Sequence, residues 1–78
     1  MNVKIEKTTE CKMGNNPVTL WNVVVDGESI ATVNRKYHAE AIAAAIVAGH
    51  IHPSGDAVMA FDRWAYSNDR AVFDRLNG

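Results

Sequence analysis

The chain has one cysteine, two prolines, no apolar run long enough to cross a bilayer and no surplus of either charge. Cys11 has no second cysteine to pair with, so no internal disulfide can form and packing alone must hold the fold, which suits a reducing cytoplasm and argues against secretion. The longest apolar stretch, Ala41 to Gly49, covers about nine residues against the roughly twenty of a membrane-spanning helix. Lys4, Glu6, Lys7 and Glu10 interrupt the N-terminal segment where a signal peptide would carry its apolar core. Eight Lys and Arg against nine Asp and Glu leave a net charge of -1. Nucleic-acid binding driven by phosphate neutralisation needs a positive excess, so the balance favours a protein or small-molecule partner and no membrane.

What is present is an ordinary globular composition, 47% hydrophobic and 22% charged, in 78 residues, enough for a single α+β domain spanning 1–78. Val3 and Ile5, continued in phase by Thr9, Cys11 and Met13, predict a first strand within Asn2 to Met13. Gly14-Asn15-Asn16-Pro17 predicts the turn after it. Two β-branched and aromatic runs meet at Asp26-Gly27, which tolerates the positive φ angles of a tight hairpin turn. With a two-residue turn, Val25 faces Glu28, Val23 faces Ile30 and Trp21 faces Thr32. Leu20, Val24, Ala31 and Val33 then lie on the other side, so either a bulge shifts the register or both faces are covered. The second case would make a homodimer reasonable.

A helix is expected from about 36 to 49, with Asn34 as its N-cap and Gly49 as its stop. His38, Ile42, Ala45, Ile46 and Gly49 share one face, while Ala39, Ala41, Ala43, Ala44 and Ala48 leave the rest small enough to lie close against a sheet. A second helical region from about 56 to 76 starts at Asp56 and buries Val58, Phe61, Trp64 and Ala65. A short strand over 57–61 competes with it. Ser67, Asn68 and Asp69 read as a fresh helix start before the apolar stripe Val72, Phe73 and Leu76. The expected architecture is a three-stranded antiparallel sheet over 2–34 packed against C-terminal helices.

One segment carries a catalytic likeness. His50-Ile51-His52-Pro53-Ser54-Gly55-Asp56 resembles the His-x-His-Pro-Ser-Gly metal-binding segment of JAMM-type zinc isopeptidases and their RadC-like relatives, in which the two imidazoles share a zinc ion. That resemblance implies a serine and a ligating aspartate further on, where this chain has Ala60 and Arg63, and an upstream glutamate on a strand. The plainer expectation is that the histidines sit in a loop after Gly49 and that Pro53-Ser54-Gly55 makes a turn, with no metal and no cofactor. A site built from His50, His52 and either His38 or Asp56 is the metal-binding alternative, a zinc hydrolase remnant.

Other chemistry has less to stand on. Cys11 on a strand lacks the electropositive setting of a reactive thiolate and reads as a packing residue. Asp26, Glu28, Glu40, Asp56, Asp62, Asp69 and Asp74 form no acid–base pair in an apolar pocket. Pro53-Ser54-Gly55-Asp56 lacks the lysine and length of a phosphate loop. Arg35-Lys36-Tyr37-His38 and the Arg63, Trp64, Tyr66 group are basic–aromatic clusters of the kind RNA-binding folds use, which keeps a nucleic-acid-binding regulator as the second reading. Arg63 and Arg70 are expected to pair with Asp62, Asp69 or Asp74.

Aromatic residues and arginine anchor protein interfaces more often than other types, and a domain this small cannot bury all of its aromatics. Tyr37, Arg63, Trp64, Tyr66 and Arg70 are therefore the candidate partner-binding residues of a non-enzymatic module. In size, charge balance, scarcity of cysteine and strand-then-helix order, the chain resembles the compact accessory proteins of bacteriophages and mobile elements, anti-CRISPR proteins among them. The resemblance implies an inhibitor that occupies a surface of a bacterial defence or replication complex.

Overall fold

The computed structural model describes residues 1–11 and 17–77. Strands β1 (Val3–Cys11), β2 (Pro17–Val25) and β3 (Glu28–Val33) form one antiparallel sheet in the order β1-β2-β3, followed by helices α1 (Lys36–Val47), α2 (Ala57–Asn68) and α3 (Arg70–Asn77). The sheet and the C-terminal helices are those the sequence predicts, and 57–61 is helix rather than strand. The expected turn at Gly14-Asn15-Asn16, the continuation of the first strand to Met13 and the packing of the Cys11 side chain lie outside the described residues.

Asp26 and Gly27 both take positive φ, 51° and 85°, as a tight hairpin turn between twisted strands requires. Val25 faces Glu28 as expected, but the register shifts between Val23 and Val24. Val23 therefore faces Ala31 and Trp21 faces Val33, not Ile30 and Thr32. The shift lets Ile30 and Ala31 both bury, and it gathers Val23, Val25, Ile30, Ala31 and Val33 in the same core cluster. Val24, buried but outside that cluster, stays on the opposite face of β2. On the opposite face Asn22 ties the three strands together. Its Nδ2 donates to Thr8 Oγ1 at 2.9 Å, and its Oδ1 accepts from Thr32 Oγ1 at 2.6 Å.

Helix α1 lays Ala39, Ile42, Ala45 and Ile46 on the sheet, and α2 adds Ala57, Phe61 and Ala65 to the same core. Ala39 joins the buried face, whereas Gly49, expected on it, lies exposed past the helix end. Ala44 and Ala48 are also exposed, so these alanines face away from the sheet rather than easing its approach. The N-cap of α1 is Arg35, not Asn34. Arg35 holds the extended backbone a cap needs but makes no side-chain cap bond, while its carbonyl accepts the Ala39 N–H at 3.2 Å. At the other end Gly49, with φ 81°, donates to the Ile46 carbonyl at 3.0 Å and His50 donates to that of Ala45 at 2.9 Å. These are the paired bonds of a Schellman stop.

Asp56 does precede α2 as its N-cap, yet its carboxylate accepts from the Ser54 hydroxyl instead of from the helix. That bond, followed by one from its own backbone N–H, lowers its pKa. The fresh helix start expected at Ser67-Asn68-Asp69 falls at Asp69, whose φ of -145° is far from helical, so the helical region over 56–76 is two helices. Asp69 serves both sides of the break. Its N–H closes α2 onto the Ala65 carbonyl at 2.8 Å, and its Oδ1 accepts the Val72 N–H at 3.4 Å to cap α3. Val72, Phe73 and Leu76 then pack, half-buried, against the core. No helix among the described residues is long and apolar enough to cross a membrane.

Candidate functional site

The break at Asp69 folds α3 back along α2, and the aromatic and basic residues singled out from the sequence separate onto two surfaces. Arg63 and Tyr66 lie on the outward face of α2, both exposed, and Tyr66 is 54% accessible. Met59, not anticipated from the sequence as a contact residue, continues this stripe by one helical turn and is 67% exposed. Its position is readable from helical spacing once 57–61 is taken as helix.

Arg70, the first residue of α3, turns back onto this stripe. Its guanidinium carbon sits 4.2 Å from the centre of the Tyr66 ring, and its Nε donates to Asp74 Oδ1 at 3.2 Å. The bond to Asp74 raises the already high pKa of Arg70 further. Phe73 meets the Tyr66 ring edge-on with centroids 5.1 Å apart, so the tyrosine is held from two directions while its outer surface stays open. Asp62, Arg63, Tyr66, Ser67 and Phe73 enclose a shallow depression of about 450 Å³ beside it.

Of the ion pairs expected, only Arg70 with Asp74 forms among the described residues. Asp62 accepts instead from Asn77 Nδ2 at 3.3 Å, and Asp69 is used in capping. Both carboxylates are thus taken by amide donors, which leaves the Arg63 guanidinium directed to solvent.

Tyr37 and Trp64 belong to a different place. They flank a groove of about 570 Å³ between α1 and the α2–α3 pair, floored by Ala41, Ala44 and Ala48 and edged by Glu40 and Asp69. The Tyr37 ring carries the Arg75 guanidinium at 4.0 Å, and the Trp64 indole carries the His50 imidazole. Trp64 also touches the core at Phe61, with ring centroids 6.0 Å apart, and is only half-exposed. The five candidate residues therefore do not make one patch. Arg63, Tyr66 and Arg70 do, and Tyr37 and Trp64 are walls of the neighbouring groove.

The His-x-His-Pro-Ser-Gly segment forms the loop between α1 and α2, with a turn in which Ser54 N–H bonds the His52 carbonyl at 2.9 Å. His50 is committed to Trp64, His52 is exposed, and His38 lies within α1 near Phe61, ring centroids 6.1 Å apart. Among the described residues no three His, Cys, Asp or Glu side chains gather where one metal ion could be held. Compared with known proteins, the chain matches no family model, no curated protein and no solved structure.

Proposed function

We propose that this chain is a non-enzymatic protein-binding module that inhibits a bacterial macromolecular complex by covering part of its surface, in the manner of anti-CRISPR proteins. The observation that carries this reading is the exposed stripe Met59, Arg63, Tyr66 and Arg70 on the outward side of α2 and α3. Methionine, tyrosine and arginine are enriched at protein interfaces, and tyrosine and arginine at their energetic centres. Preorganisation adds to this. Asp74 and the Tyr66 ring already hold the Arg70 guanidinium, so less side-chain freedom is lost when a partner arrives. The overall charge of -1 supports a protein partner over nucleic acid.

The reading is tested in bacteria whose CRISPR systems restrict phage plating, by expressing the chain and measuring plating efficiency, and by isolating the effector complex it binds. Plating is expected to recover, and Tyr66→Ala and Arg63→Glu are each expected to weaken binding by about tenfold or more while the circular-dichroism spectrum is retained. Full restriction across systems and no bound complex overturns it. So does binding that survives both substitutions, or a salt-sensitive complex with nucleic acid alone.

A further inference from the structure

The sheet has two edges, and they differ. On β3 the edge is six residues long and interrupted by the bulge opposite Val23 and Val24, a device that blunts pairing with other chains. On β1 the edge is nine residues long, pairs regularly with β2 along its whole length and, among the described residues, has no strand on its outer side.

Two observations show which backbone groups face outward. The Asp26 N–H donates to the Asn2 carbonyl at 2.8 Å, making Asn2 and Asp26 a bonded pair at the start of the β1–β2 ladder. The tight turn at Asp26-Gly27 aims the polar groups of Val25 at β3 and leaves those of Val24 for Lys4 of β1. Even-numbered β1 residues therefore bond to β2. By alternation Val3, Ile5 and Lys7 turn their N–H and C=O groups to the open edge. Val3 and Ile5 are half-buried on the helix-covered face, whereas Lys4 and Glu6 are exposed on the other.

We infer that β1 is a self-association edge, at which two copies of this chain join antiparallel about a two-fold axis through Ile5 to make one continuous sheet. In that register Ile5 faces Ile5 of the other copy, extending the apolar face of the sheet. Lys4 of each copy faces Glu6 of the other, two opposite-charge pairs per dimer by symmetry. Val3 faces Lys7, and the three outward residues supply about six ladder bonds. Sliding the strands by one step of the two-residue repeat sets Glu6 against Glu6 in one direction and Lys4 against Lys4 in the other, so charge selects the register. Lys7, whose charge could obstruct the edge, folds back with its Nζ 5.8 Å from the centre of the Trp21 ring.

Sedimentation equilibrium of the purified chain between about 1 μM and about 1 mM tests this, with thermal melts confirming that each variant folds. The wild type is expected to reach twice the chain mass. Lys4→Glu and Glu6→Lys each create two like-charge pairs and are expected to weaken association roughly tenfold, while the Lys4→Glu/Glu6→Lys double variant restores it. Lys7→Pro, which removes an outward N–H and spares the ladder to β2, is expected to leave a folded monomer. A single-chain mass throughout the range overturns the inference. So does a dimer indifferent to the single charge reversals or not restored in the double variant.

Discussion

The imidazole of His50 lies nearly parallel to the indole of Trp64, with ring centroids 4.5 Å apart and planes within 15°. This stack fastens the loop after α1 to the face of α2, while the His50 backbone independently closes α1 on the Ala45 carbonyl. Substituting His50→Ala keeps the backbone bond and removes the stack. The expected cost is about 1 kcal/mol, read as a fall in thermal midpoint of roughly 4–8 °C for a domain of this size. Acrylamide quenching of tryptophan fluorescence should rise at the same time.

Gly49 ends α1 at φ 81° with nothing within 4 Å of the place where a Cβ would sit. The penalty for a side chain there is one of backbone conformation alone. Gly49→Ala is expected to destabilise by about 1 kcal/mol and Gly49→Asn by less, because asparagine tolerates the left-handed region better. Urea denaturation of the two variants side by side checks the order.

His38 Nε2 is buried without a hydrogen-bond partner. Burial is the larger influence on the ring and holds its pKa below the ordinary 6.5, with Asp62 pulling it up and Arg35 pushing it down. As the pH falls below 6.5 the unfolded chain takes up a proton here before the folded one does, so stability contributed by the neutral ring is full above 6.5 and lost on acidification. His38→Leu removes both the titration and the orphaned nitrogen. It is expected to stabilise the protein at pH 7 by about 1 kcal/mol and to flatten the loss of stability between neutral and mildly acid pH relative to wild type. Denaturant midpoints across that interval measure both effects.

Phe61 and Tyr66 are both aromatics of α2 and should respond very differently to truncation. Phe61 is 2% exposed at the centre of the core, and Phe61→Ala is expected to cost about 3–5 kcal/mol, a large part of the stability of a small domain. Tyr66→Ala removes only the Arg70 and Phe73 contacts, with an expected loss of about 1 kcal/mol, yet it is a variant expected to weaken binding to the proposed partner. Calorimetry of both variants, followed by the binding assay on Tyr66→Ala, separates the core from the proposed contact surface.

How much of this was readable beforehand depends on whether a feature is local. The turn at Asp26-Gly27 was, because positive φ at successive residues is a steric demand that few residue pairs meet. Gly49 as a helix stop and Asp69 as a fresh start were legible for the same kind of reason. The bulge beside Val23 and Val24 was not, since Leu20 to Val25 and Ile30 to Val33 hold apolar residues in both phases. The choice fell to the helices, whose apolar faces reward the register that buries Ile30 and Ala31 together. The proposed contact residues were half legible. Their types could be read, but which of Trp64 and Tyr66 would face outward depends on the rotation of α2 about its axis, and that is set by Ala57, Phe61 and Ala65 meeting the core.

By itself, then, the sequence determined the order of strands and helices, the hairpin turn, the helix stops and the near-neutral charge, all of which follow from sterics and composition within a few residues. The tertiary structure alone decided that β3 shifts by a bulge, that Arg70 returns from the start of α3 to Tyr66, and that Trp64 turns to His50 while Tyr66 stays open. Those outcomes come from competition among apolar faces for one core. That competition is resolved only when residues distant in the chain are packed together.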